Sequence, residues 1–142
     1  MKLRVLILVL LILVMSVGSV FAADQQDSKK ADWQYIITRN NISYSVDMNS
    51  VKFPPKNMLF FSAIFDNYNT EEILLTSIIV NTTTREYRFE EGYTFDRKDN
   101  IKSRHPTPSN WMQIGQDSPM EHIVYYIFEH HPSTKDKVPK RS

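Results

Sequence analysis

Apolar and polar residues alternate over much of the middle of the chain, which is typical of β-strands with one face in water. The clearest example is the segment 42–48, where apolar residues at every second position alternate with serine or aspartate. The pair Asn40-Asn41 stands just before it, and asparagine tolerates the positive φ angles of tight hairpin turns. We therefore predict a β-hairpin formed by residues 33–38 and 42–47.

Three further strands are predicted beyond a loop at 52–56, whose two prolines cannot donate to a sheet. Residues 58–65 and 73–80 are apolar on both sides, which indicates central strands. Residues 85–95 alternate again, and Gly92 is expected to mark a β-bulge there. The side chains expected to share the aromatic side of this strand are Tyr87, Phe89, Tyr93 and Phe95.

A single helix is predicted near the end of the chain. The Ser118 hydroxyl would accept from a backbone N–H, Pro119 would preset the first turn, and Glu121 would reach back to the cap. The apolar stripe that follows, at steps of three and four residues, consists of Met120, Ile123, Val124, Ile127 and Phe128. His131-Pro132 would end the helix. The elements together predict an α+β fold, an antiparallel sheet of about five or six strands with one C-terminal helix packed on one face.

The first 22 residues have the pattern of a signal peptide, in which two basic residues precede an apolar run at 5–15. Small residues then lead to Ala22, after which we expect cleavage. An uncleaved anchor is the alternative, but serine and glycine at 16–19 interrupt the run before the roughly 20 residues that a membrane span needs. We therefore expect an exported protein of the periplasm, cell surface or extracellular space, with no stable membrane anchor after cleavage.

Length and charge limit what the remaining 120 of the 142 residues do. They suffice for one domain, expected at 23–131, followed by a basic tail at 132–142 that we expect to be disordered. Two of the 17 basic residues and none of the 16 acidic ones lie in the signal peptide, which leaves a net charge of −1. This balance argues against nucleic acid as the partner. Without cysteines, an aromatic-rich core must hold the domain together.

The search for enzymatic chemistry is negative, so we predict no catalytic, cofactor-binding or metal-binding residues and a non-enzymatic protein. The adjacent acids Glu90 and Glu91 would point to opposite faces of a strand, and there is neither a nucleophile elbow nor a phosphate loop. The histidines do not have the spacing of a helical zinc site. They are His105, His122, His130 and His131.

A cluster of basic residues follows the central strands and is interleaved with tyrosines and acids. A polyanion or an acidic protein surface is one candidate partner for it, but the interspersed acids favour an ordinary solvated face. The basic residues are Arg85, Arg88, Arg97, Lys98, Lys102 and Arg104.

Several residues follow one another in a recognisable order. Trp33 opens the domain, and Tyr44, Asp47 and Ser50 mark a strand end. Residues 84–89 have the sequence Thr-Arg-Glu-Tyr-Arg-Phe, and Trp111 precedes Ser118 and Glu121. This order, over about residues 33–128, resembles the surface-adhesin protein E-like family of small exported bacterial domains. The resemblance implies an antiparallel sheet with a C-terminal helix laid against it. It also implies a periplasmic or surface location and, from the family's namesake, adhesion to host extracellular-matrix and serum proteins.

The chain departs from that family in one respect, because the family often has two cysteines that join the sheet to the helix. In the register of the resemblance they fall at Thr82 and Phe128. We expect Phe128 to attach the helix by apolar packing instead. A missing disulfide gives up about 2–4 kcal/mol, and burial of a phenylalanine offsets much of this.

Two functions of different classes follow from the sequence. The first is a binding module whose exposed sheet face or edge strand engages another protein, by resemblance a host-matrix or envelope protein. An uncovered edge is also a route to a homodimer. The second is a small-ligand-binding protein or enzyme with a pocket between helix and sheet, and a filled helix-to-sheet layer would count against it.

Overall fold

The computed structural model describes residues 30–134, in which one antiparallel sheet of seven strands packs against one helix. The predicted signal peptide, residues 23–29 and the tail from residue 135 onward lie outside the described residues. The strands are β1 (Trp33–Arg39), β2 (Ile42–Lys52), β3 (Met58–Asn67), β4 (Glu72–Asn81), β5 (Glu86–Phe95), β6 (Ile101–His105) and β7 (Met112–Gln113), and the helix is α1 (Pro119–His130). The predicted α+β fold is confirmed. Between residues 30 and 134, no helix is long and apolar enough to cross a membrane.

The first six strands form a meander in which each strand is antiparallel to the next, and β7 pairs with the start of β5. The hairpin predicted around Asn40 and Asn41 is confirmed, because both residues have positive φ angles, 52° and 59°. Two consecutive residues of this kind give the turn a twist that matches the flanking strands. The strands β3 and β4 have neighbours on both sides, which confirms their predicted central position.

An irregularity in β2 interrupts its pairing with β3 after Asp47. The buried Asp47 carboxylate accepts hydrogen bonds from the backbone N–H groups of Asp32 (2.8 Å) and Asn49 (3.0 Å). The Ser50 hydroxyl donates to the Asp47 carbonyl and accepts from the Ser62 N–H, both at 2.7 Å. These bonds satisfy backbone groups where the regular ladder is broken. Two residues that carry the family resemblance therefore have a structural role.

A β-bulge in β5 reverses the side-chain alternation along that strand. Two residues of β5 stand opposite one residue of β4 just before Gly92. Tyr87 and Phe89, before the bulge, pack toward the helix. Tyr93 and Phe95, after it, lie on the opposite face. The expectation that all four aromatic side chains share one side is therefore wrong, since the extra residue shifts the alternation by one position.

Helix α1 begins at the predicted capping box. The Glu121 N–H donates to the Ser118 hydroxyl at 3.2 Å, and Pro119 occupies the first turn. The Glu121 carboxylate reaches one residue further back than a capping box requires and accepts from the Asp117 N–H at 2.6 Å. The positive φ of Asp117, 54°, turns that N–H toward the helix.

The apolar stripe of α1 closes the core on one face of the sheet. Four of its side chains, Met120, Ile123, Ile127 and Phe128, are buried, and Val124 packs beside them. The strand residues in the same cluster are Val46, Val51, Leu59, Phe61, Ala63, Ile78 and Val80. Full burial of a large aliphatic or aromatic side chain contributes about 2 kcal/mol, so this layer stabilises the fold more than the surface ion pairs do. The predicted packing of the helix on one face is confirmed.

The chain turns back after α1 and covers the C-terminal end of the helix. Thr134 is buried, and its hydroxyl lies 2.9 Å from the Phe128 carbonyl oxygen and 3.0 Å from that of His131. The start of the predicted tail, residues 132–134, therefore caps carbonyl groups that the helix leaves free.

Replacing Phe128 by alanine should lower the free energy of unfolding by about 3 kcal/mol, because a cavity is left in the core. Its ring is 9% exposed and packs 6.0 Å from that of Phe53. Urea unfolding followed by far-ultraviolet circular dichroism measures the effect. Glu129→Ala, at the exposed next position, is the matched control. Equal midpoints for the two variants would show that Phe128 does not attach the helix.

Replacing Gly92 by alanine should destabilise the fold by about 1–3 kcal/mol, since the β-bulge leaves no room for a side chain. A Cβ there would lie 2.9 Å from the Leu75 carbonyl oxygen and 3.0 Å from the Thr76 Cβ. Gly115→Ala is the control, because its Cβ would meet only the Ser118 Cβ, at 3.7 Å. Thermal unfolding of both variants tests this. Equal midpoint temperatures for Gly92→Ala and Gly115→Ala would contradict the packing described at the bulge.

Candidate functional site

The layer between the middle of α1 and the sheet is filled by side chains. Ile123 and Ile127 from the helix and Leu59 and Phe61 from β3 are all fully buried. This part of the interface has the packing of a protein interior. Space for a ligand must be sought beside the helix.

A groove of 450 Å³ lies beside the first turn of α1, on the same face of the sheet. We call it the aromatic groove, and its apolar wall consists of Ile42, Tyr44, Phe65, Leu74, Tyr87 and Phe89. The rings touch edge to face: Tyr44 and Phe65 have centroids 4.8 Å apart, and Phe89 lies 5.9 Å from both Phe65 and Tyr87. The helix side of the groove is formed by Ser118, Pro119 and Met120.

The groove exists because one helix cannot cover this sheet. Six strands spaced by about 4.8 Å make a layer roughly 24 Å wide, whereas a helix with its side chains is about 10 Å across. Helix α1 lies above β1 and β2, so the aromatic residues of β3 and β5 on that face are only partly covered. Alternation in the sequence indicates which residues share a face but not which of them the helix reaches. The shortness of the predicted helix against five predicted strands is the signal that points to an uncovered region.

Two tyrosines give the groove polar groups. Burial raises the pKa of Tyr44, helped by the nearby Tyr87 and opposed by the Arg39 charge, and burial also raises the pKa of Tyr87. Both phenols are therefore neutral O–H donors at neutral pH. Neither hydroxyl makes a hydrogen bond to any residue in the described part of the chain.

The opposite side of the sheet, which we call the outer face, carries apolar side chains in two groups, which the paired Ser62 and Ser77 separate. Register places Phe60 beside Ile79 and aligns Ile64, Leu75 and Tyr93 across three strands. These five side chains are half-buried, and no helix or strand within residues 30–134 packs over them. The prediction that β3 and β4 are apolar on both sides is thus confirmed, but only one of those sides is covered by the helix.

The basic cluster predicted after the central strands is largely neutralised within the chain. Five of its six members form ion pairs with acids on the same strand, on other strands of the sheet or on α1. The pairs are Arg85–Glu121, Arg88–Glu90, Arg97–Asp66, Lys102–Glu72 and Arg104–Glu91. A polyanion would have to compete with these carboxylates, so the arrangement favours the solvated charged face that the interspersed acids indicate.

Three arginines of this cluster also lie over aromatic rings. Arg88 stands 4.8 Å from the ring centre of Trp111, and Arg104 stands 5.7 Å from that of Tyr93. The third, Arg97, lies 5.1 Å from the ring of Tyr68. Guanidinium groups held in this way cover apolar surface with their stems. They form the rim of the outer face.

Each of the four histidines contacts a hydroxyl, a carboxylate or an aromatic ring. His122 lies 2.8 Å from an Asp117 carboxylate oxygen, and His105 lies 3.1 Å from the Thr94 hydroxyl. His130 stacks on Tyr126, while His131 lies against the ring of Phe53, beyond the end of the helix. Within residues 30–134, no three His, Asp or Glu side chains stand close enough together to hold a metal ion.

Comparisons with models of protein families, with curated proteins and with solved structures find no match to this chain. The resemblance to the surface-adhesin protein E-like family therefore stays a prediction. The function must be argued from the aromatic groove and the outer face.

Acids in the basic cluster have structural roles that pH should reveal. The Asp96 carboxylate accepts hydrogen bonds from the Asn100 side-chain amide (2.9 Å) and from the backbone N–H groups of Asn100 (2.9 Å) and Lys98 (2.8 Å). These bonds, that of the Asn100 amide first, hold the pKa of Asp96 below its usual value. The stabilisation is therefore present above the unfolded pKa of about 3.9 and is lost as the pH falls through the lower folded value.

Asp96→Ala should accordingly unfold at a lower urea concentration than the wild type near neutral pH, and the difference should shrink at about pH 2. Urea midpoints of both proteins at both pH values measure this. A difference that is equally large in acid would mean that the charge of Asp96 does not matter.

Proposed function

We propose that this chain is an exported, non-enzymatic binding module of the bacterial periplasm or cell surface that engages another protein through its outer face. The basic and apolar pattern of residues 1–22 supports export, and the resemblance to the surface-adhesin protein E-like family supports a surface or periplasmic site of action. By the same resemblance the partner is a host-matrix or envelope protein.

The single observation that carries the proposal is an apolar band on the outer face. Ile64, Leu75 and Tyr93, on three adjacent strands, form a row of half-buried side chains over which no helix or strand within residues 30–134 packs, and Arg104 lies over the Tyr93 ring at its edge. A partner that removed this band from water would gain about 25 cal/mol per Å² of apolar surface. Contiguous apolar patches that remain accessible at the surface mark interaction sites in many proteins.

The rim of the outer face indicates how the partner is held. Arg88 and Arg104 are paired with Glu90 and Glu91, so the rim carries little unbalanced charge. The proposed contact is therefore mainly apolar and should resist moderate salt, unlike binding through a basic cluster.

A small-ligand-binding protein is the second candidate function, and the aromatic groove favours it. Its 450 Å³ lie within the range of about 300–1,000 Å³ that ligand pockets have. The two functions use opposite faces of the sheet and are separable by mutation.

The test is a binding measurement on protein recovered from the envelope of a bacterial host, where its mass reports whether residues 1–22 have been removed. Host-matrix, serum and envelope proteins are immobilised one at a time, and binding is titrated in low and moderate salt. Leu75→Lys should weaken binding to the protein that is captured by at least about tenfold, since it places a charge at the centre of the apolar band.

Thr83→Lys, in the exposed turn between β4 and β5, adds the same charge away from the outer face and should bind like the wild type. Unfolding midpoints of both variants establish that each is folded. Unchanged binding by Leu75→Lys would exclude the outer face, and binding that disappears in moderate salt would point to the basic cluster instead.

A further inference from the structure

The aromatic groove contains no unpaired charge. Two charged residues lie at its edge: Glu72 lines the rim, and Arg39 lies close enough to Tyr44 to affect it. Glu72 is engaged by Lys102, and Arg39 is engaged by the carboxylate and carbonyl of Asp117. A charged ligand would lose its hydration without gaining an unpaired opposite charge, and this would disfavour its binding. The groove therefore suits an uncharged ligand.

The floor of the groove offers rings and hydroxyls but no free strand edge. This floor is made by β2 to β5, and each of these strands is hydrogen-bonded to a neighbour on both sides. An extended peptide bound there would find no strand edge to pair with, although such pairing is how extended peptides gain most of their affinity. The occupant is therefore recognised by ring packing and by polar side chains, among them the hydroxyls of Tyr44 and Tyr87.

The described ends of this chain lie away from the groove. The Lys30 carbonyl accepts from Asn49 near the end of β2, whereas the groove includes Ile42 at its start. Thr134 contacts the last turn of α1, and the groove lies at the first turn. The twelve residues of α1 separate these two points by about 18 Å. Neither described end of the chain therefore lines the groove.

We propose that the aromatic groove binds a small uncharged aromatic molecule that carries a hydroxyl or carbonyl group. The ring of this molecule packs against Phe65 and Phe89, in the same edge-to-face geometry that these two rings make with each other. Its oxygen accepts a hydrogen bond from the hydroxyl of Tyr44 or Tyr87. The volume suits a molecule of one or two fused rings. This inference does not depend on the proposed protein-binding function, because it concerns the opposite face of the sheet.

The experiment uses three two-ring probes on the intact protein: 2-naphthol, its saturated analogue decahydro-2-naphthol, and 2-naphthoate. Backbone amide shifts in nuclear magnetic resonance spectra report the place and the affinity of binding. We expect saturable shifts at Phe65, Tyr87 and Phe89 with 2-naphthol, and affinities about tenfold lower for the saturated and the charged probes. The phenols are protonated near neutral pH, so the affinity should not change between about pH 6 and about pH 8.

Variants separate the ring from the hydroxyl. Phe89→Leu removes a ring and keeps most of the volume, and it should weaken 2-naphthol binding by about tenfold. The double variant Tyr44→Phe and Tyr87→Phe keeps both rings, and it should weaken binding of 2-naphthol while the protein stays folded. Tyr93→Phe makes the same change on the outer face and should bind 2-naphthol like the wild type.

Each contrary result overturns a part of the inference. Equal affinity for the saturated probe would mean that the groove is merely apolar, and tighter binding of 2-naphthoate would contradict the charge argument. Shifts that do not saturate, or that saturate on the outer face, would mean that the groove is not a ligand site. Leu75→Lys should leave 2-naphthol binding intact, so loss of protein binding and loss of ligand binding are distinguishable.

Discussion

The packing of one short helix against a much wider sheet is the constraint from which the other features of this molecule follow. The fully buried Ile123 and Ile127 anchor α1 over β1 and β2. Without cysteines, this apolar contact is what attaches the helix to the sheet. Because α1 covers less than half of the sheet's width, the rest of that face consists of aromatic rings that pack edge to face against one another. The aromatic groove is the space left above them.

Irregularities in the strands decide which side chains meet in these places. The bulge before Gly92 sends Tyr87 and Phe89 to the groove and Tyr93 and Phe95 to the outer face, so β5 supplies aromatic surface to both sides. A regular strand would have placed all four on one side. Bulges of this kind commonly redirect side chains at functional sites. The bulge therefore determines which aromatic side chains of β5 each proposed binding surface receives.

Much of the fold could be predicted from the sequence because its signals are local. Alternation locates β2 and β5, and apolar runs locate β3 and β4. Asn40 and Asn41 identify the hairpin turn that places β1, and Ser118 with Pro119 identifies the helix start. Two strands give no such signal. Strand β6 is polar and shares the exposed edge of the sheet with β7, which has only two residues. Both strands are defined by their pairing with β5 and not by a pattern in their own sequence.

The proposed binding surfaces were harder to predict from the sequence, because they depend on distances across the sheet. Tyr44, Phe65 and Phe89 are far apart in the chain, and only the register of β2 to β5 brings their rings together. Likewise, Arg97 and Arg104 read as a basic cluster, while their partners Asp66 and Glu91 become neighbours only in the folded sheet. Gly92 predicts a β-bulge, but only the observed pairing of β4 with β5 shows that the bulge reverses the side-chain alternation and places Tyr93 on the outer face.

Native-state amide hydrogen exchange tests the central claim most directly, since it compares the stability of α1 with that of the sheet beneath it. If the apolar stripe attaches the helix as described, the amides of Ile123 and Ile127 should exchange only through global unfolding, with the same free energy as those of Phe61 and Ile78. Exchange of the helix amides at a clearly lower free energy, while the sheet stays protected, would show that α1 detaches on its own and would contradict the account.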